Sequence, residues 1–146
     1  MDPAATVTSI AHVIQLSVAP VFLLTGVGAM IAVLTNRLGR AVDRARSQEA
    51  RYAAATAEEQ AGLRSELKVL ERRSRLIYSG MLLCALCALL VCSVIVGLFA
   101  STLTGAAIAP VIGALFVAAM FAFMGALVAF LREVHLALRT LHIGPP

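Results

Sequence analysis

Few side chains in this sequence are equipped for chemistry, and most of them sit in apolar surroundings. Residues 10–34 form an apolar run that carries His12, Gln15, Ser17 and Thr25, with Pro20 among them. Imidazole, amide and hydroxyl groups are costly in hydrocarbon, so they tend to face a bundle interior, a water path or the interface. His12, Gln15, Ser17 and Thr25 are therefore the candidate pore-lining or interhelical polar residues. His12 and Gln15 fall in the first turns of the run, where interfacial water or a neighbouring helix can satisfy them. Pro20 lacks an N–H and frees a carbonyl near Leu16, which predicts a kink. A second group is Cys84, Cys87 and Cys92, all inside another apolar run. The Cys-x-x-Cys spacing has the form of a redox pair, but a reactive thiolate needs electropositive, partly wet surroundings. These thiols read as small, well-buried core residues instead.

Catalytic patterns are missing from the sequence. The apolar runs carry no Asp or Glu in their central parts, and there is no His-x-x-x-His, paired carboxylate or Gly-x-Ser-x-Gly. The chain is expected not to be an enzyme. A metal centre needs at least three convergent ligands, and the topology derived below spreads His12, His135 and His142 over opposite membrane sides. Neither a metal nor a cofactor is expected. Glu133 stands next to Arg132 and is expected to form a local ion pair there.

The elements that must position these residues are long helices. Of the 146 residues, 60% are hydrophobic and 14% charged, against roughly half and a quarter in soluble domains. The excess is concentrated in three runs, residues 10–34, 76–100 and 109–131. At a rise of 1.5 Å per residue, the 25 residues of the first would span about 37 Å, more than the ~30 Å of a hydrocarbon core. The expected fold is all-α and integral to the membrane. It has three transmembrane helices and a cytoplasmic antiparallel helical hairpin over 36–75, between spans one and two. A juxtamembrane helix is expected over 132–142, and the whole of 1–146 reads as one membrane domain. The first run lacks the basic n-region of a signal peptide.

Charge sets the orientation. Residues 36–75 hold ten Lys/Arg and six Asp/Glu, which accounts for the whole net charge of +4. Residues 101–108 hold none. The positive-inside rule places the hairpin and the C-terminus in the cytoplasm and the N-terminus outside. The excess is read as topology, and nucleic acid is not an expected partner, since no aromatic residues alternate with the basic ones. Arg37, Arg40, Arg72, Arg73 and Arg75 flank the inner leaflet and suit anionic lipid.

Within the hairpin, Leu34, Leu38, Ala41, Ala45, Gln48, Tyr52 and Ala55 recur at steps of three and four, as do Leu63, Leu67, Leu70, Ser74 and Ile77. That is a coiled-coil-like seam. Thr56 followed by Glu59 is a capping-box signature for the second arm. In the spans, small residues recur at steps of four: Gly80, Cys84, Ala88 and Cys92, then Ala114, Ala118, Ala122 and Ala126. Such ridges let helix backbones approach closely where lipid gives no hydrophobic drive. A three-span unit has little interior of its own, so a homo-oligomer is expected. The functional expectation is a homo-oligomeric ion or small-solute pore lined by span one. The rival is a non-conducting scaffold or accessory subunit whose hairpin binds a cytoplasmic protein partner.

Two stretches carry a family likeness: residues 14–26, and Leu34-Thr35-Asn36-Arg37-Leu38 followed by Asp43-Arg44-Ala45-Arg46. With Leu70-Glu71-Arg72-Arg73 leading into span two, the chain resembles a bacterial family of small membrane proteins catalogued as a domain of unknown function. The resemblance implies a three-span architecture and the bacterial inner membrane, and it supplies no activity.

Overall fold

A computed structural model of the protein describes residues 3–105 and 107–139. Three helices account for nearly all of them: α1 (Pro3–Ala54), α2 (Ala57–Thr104) and α3 (Ala109–Arg139). Among the described residues there is no strand. All three helices are long and apolar enough to cross a membrane. Each also runs past its apolar run into charged sequence without a break. The segment expected over 132–142 is the end of α3 as far as Arg139, and residues 140–142 lie outside the described residues.

Local chemistry explains the breaks. Pro20 lies inside α1 and is buried there. Proline is tolerated in such helices because neighbouring groups re-satisfy the freed backbone. α1 stops at Ala54, and α2 begins after Thr56, whose carbonyl accepts from Gln60 N at 3.0 Å. α2 ends where Gly105 adopts φ +69°. That left-handed conformation is open to glycine and strained for other residues. Gly105 N then donates to Ser101 O at 2.9 Å, which closes the last turn. α3 opens with Pro110 in its first turn, where a missing N–H costs nothing.

The contacts divide the chain into two compact units. The first takes residues 1–30 and 83–124. Among the described residues it buries Val13, Ser17, Pro20 and Val27 on α1, Cys84, Cys87, Val91 and Val94 on α2, and Ala119 and Ala122 on α3. Gly97 lies against Ile112 closely enough that an added Cβ would stand 3.2 Å from Ile112 Cγ1. The second unit takes residues 31–82 and 125–146. It buries Leu34 and Ala41, Leu70, Ile77 and Gly80, and Ala126, Ala129 and Glu133.

Large apolar side chains occupy the outer surface. Phe22 is 73% exposed and Phe121 66%, and Leu89, Val96 and Leu131 are similarly open. In water such a surface would be an aggregation hazard. Against lipid tails it is the ordinary outside of a transmembrane helix, and the chain is a membrane protein on that ground.

Candidate functional site

The strongest concentration of polar contacts lies in the second unit, around Glu133. This residue continues the buried register of α3, following Ala126 and Ala129 at steps of three and four. It is 1% exposed. Arg37, on α1, donates from Nη1 to its Oε2, and Arg73, on α2, donates from Nη2 to its Oε1 at 3.0 Å. Each carboxylate oxygen therefore has its own guanidinium, and one side chain joins all three helices. Arg37 also stands 5.0 Å from the centroid of the Phe130 ring, within cation–π range. A buried carboxylate is strongly penalised unless it is paired and hydrogen-bonded. Here two cations meet that need. The expectation that Glu133 would pair locally with Arg132 gives way to this clamp. Successive helical residues diverge by about 100°, so neighbours in sequence do not face each other. Arg132 is exposed while Glu133 turns inward.

Of the five arginines expected from the sequence to flank the inner leaflet, Arg37 and Arg73 are thus engaged inside the protein. Their side chains remain 30% and 20% exposed. Arg75 pairs with Glu71 at 3.0 Å on the surface, a contact of small energetic weight. Arg40 and Arg72 are exposed. Arg37, Arg40, Arg44 and Arg73 line a cleft of about 210 Å³ beside Glu133.

Where α1 and α2 meet in sequence, Glu59 Oε2 accepts from both the backbone N–H and the hydroxyl of Thr56, each at 3.0 Å. The carboxylate arm of the expected capping box is therefore formed. These two bonds, the backbone one first, hold the Glu59 carboxyl below its ordinary value. Arg64 Nε donates to Tyr52 Oη at 3.0 Å. Along the expected seam, Ala41 and Leu70 are buried, and Leu38, Ala45, Leu63 and Leu67 are half-buried.

The candidate polar residues of span one are dispersed. His12, Gln15 and Thr25 are exposed, and Ser17 is buried. Ser17 Oγ donates to Val13 O at 2.9 Å, satisfying itself on its own helix. Thr25 Oγ1 reaches Val21 O at 3.5 Å in the same way. Among the candidate packing residues, Gly80, Cys84, Ala122 and Ala126 are buried and Ala88 is half-buried, whereas Cys92, Ala114 and Ala118 are exposed. Gly80 is the closest approach in the second unit. A Cβ there would meet Leu34 Cδ1 at 3.4 Å and the Ala126 carbonyl at 3.7 Å. Among the described residues, no three His, Cys, Asp or Glu side chains group as metal ligands.

Glu133 stood out in the sequence, but Arg37 and Arg73 did not stand out as its partners. The available signal was its register: it falls on the small-residue face of α3 rather than on the face that holds Arg132 and His135. Both arginines that reach it come from the stretches that carry the family likeness, Thr35-Asn36-Arg37 and Glu71-Arg72-Arg73. No curated protein and no solved structure matches the chain. A family model does match, over residues 17–143, and on that match the chain belongs to the family described as "Protein of unknown function (DUF2721)".

Proposed function

We propose that this protein is a non-conducting scaffold of the bacterial inner membrane, which displays its basic helical segment at the cytoplasmic surface for a protein partner. The observation that carries the reading is the apolar character of the first unit. Apart from the self-satisfied Ser17, its buried side chains among the described residues are apolar, and Gln15 and Thr25 lie outside that interior. A pore within one chain would need those polar groups on a shared inner path. The Glu133 clamp supports the same reading, because it fixes three helices at the edge of their apolar runs. The basic excess of residues 36–75 favours an inside location for the hairpin and an outside N-terminus.

The exposure of His12, Gln15 and Thr25 favours one alternative, a homo-oligomer in which several copies turn these faces toward a shared pore. Reconstitution separates the two. A scaffold gives vesicles with no ion flux above lipid alone, for wild type and Gln15→Leu alike. Wild-type flux that disappears in Gln15→Leu, at unchanged assembled mass, would establish the pore and remove the scaffold reading. Orientation is tested separately by labelling Thr104→Cys in intact cells. Labelling from outside is expected, and labelling only after permeabilisation would invert the topology.

A further inference from the structure

The cleft beside Glu133 holds more positive charge than its acid can neutralise. Arg37, Arg40, Arg44 and Arg73 line it with one carboxylate, an excess of three charges. Arg37, Arg40 and Arg44 follow one another at steps of three and four on α1, so they stack on one face of the helix. Like charges so spaced repel and weaken a helix. Among the described residues, neither Arg40 nor Arg44 has an acidic partner, although Asp43 lies three residues beyond Arg40. Arg37 and Arg73, in contrast, are already oriented by Glu133. The cleft therefore combines two fixed guanidiniums with two uncommitted ones. Its apolar lining includes the buried Ala41 and Leu70.

We infer that this cleft binds a phosphate group. Guanidinium is planar and presents paired donors that match phosphate oxygens, and four of them around a small cleft form a built anion site. Arg40 and Arg44 are the residues that grip the anion. Arg37 and Arg73, held by Glu133, supply field and shape. Arg37 lies three residues beyond the apolar run over 10–34 and Arg73 three residues before that over 76–100, with Arg40 and Arg44 about one and two turns further along α1. A cleft at the end of apolar helices is open to a lipid phosphate as well as to a soluble one. The phosphate is therefore that of an anionic phospholipid or of a soluble phosphorylated species. The inference does not depend on whether the protein scaffolds or conducts.

The test uses the full-length chain and two double variants of equal charge change. Arg40→Gln/Arg44→Gln alters the cleft. Arg46→Gln/Arg51→Gln removes two exposed charges further from the apolar runs, and neither pair touches the Glu133 clamp. Each protein is first reconstituted in phosphatidylcholine containing a minority of phosphatidylglycerol, extracted, and weighed by native mass spectrometry. Wild type and Arg46→Gln/Arg51→Gln are expected to retain one phosphatidylglycerol, and Arg40→Gln/Arg44→Gln to retain it about tenfold less or worse. That outcome assigns a lipid phosphate. In a second arm, the delipidated proteins are titrated with inorganic phosphate against chloride at equal ionic strength. If no lipid is retained but phosphate alone raises the unfolding temperature, and Arg40→Gln/Arg44→Gln loses that rise, the ligand is a soluble phosphate. Equal losses in the two double variants would reduce the effect to net charge and overturn the site. No retention and no thermal response would also overturn it.

Discussion

Replacing Glu133 by Gln tests the clamp with almost no change of volume. The carboxylate is 1% exposed and receives one guanidinium on each oxygen, so the amide leaves two cations facing a neutral group. Removing one partner of a buried ion pair typically costs about 3–5 kcal/mol. Here Arg37 and Arg73 keep 30% and 20% of their side-chain surface and can turn partly to water. The lower end, about 3 kcal/mol, is the expected loss. At about 2–4 °C per kcal/mol for a chain of this size, the melting point should fall by roughly 6–12 °C. The assay is the loss of helical circular dichroism on heating the detergent-solubilised protein. A triple replacement, Arg37→Met with Arg73→Met and Glu133→Met, removes all three charges and should recover much of the loss, since apolar side chains of similar size often substitute for a buried ion pair. A Glu133→Gln protein melting within about 2 °C of wild type would refute the clamp as a structural element.

Further outcomes follow from the packing and from the helix start. Gly80→Ala should be tolerated, because its new Cβ meets neighbours no closer than 3.4 Å, whereas Gly80→Leu should cost about 1–3 kcal/mol by overpacking, read as a lower melting point. Ala122→Leu should destabilise the single chain, while Ala118→Leu, at an exposed position, should leave its melting point unchanged. A change in detergent-solubilised mass on Ala118→Leu would mark that face as a contact between copies. Glu59 has a lowered pKa in the folded chain, so its stabilising contribution is complete above the ordinary value of 4.5 and is lost as the pH falls through the lowered value. Hydrogen exchange at the Gln60 amide, corrected for the intrinsic pH effect, should therefore rise in acid, and Glu59→Gln should abolish that pH dependence.

The membrane-spanning helices were legible because length and hydropathy leave few alternatives. A run of 23–25 nearly uncharged residues has no satisfactory conformation in lipid except a helix. The start of α2 was legible for a local reason: Thr56 and Glu59 are three residues apart, and their contact needs no other part of the chain. The packing faces were only half legible. Steps of four advance about 40° beyond a full turn, so three of them carry a residue about 120° around the helix. This is why Gly80 and Cys84 are buried while Cys92 is exposed, and why Ala122 and Ala126 are buried while Ala114 is not. The face that stays inward alternates three and four, through Ile77, Gly80, Cys84, Cys87, Val91 and Val94. Glu133 was the hardest to place. Its neighbour Arg132 offered a local pair, and only the arrangement of the other helices shows that Arg37 and Arg73, 96 and 60 residues away, are its partners. A charge at the end of an apolar run is thus better judged by the register it continues than by the residue next to it. On α3 that register is made of alanines, and an acid continuing it needs cations from the other helices.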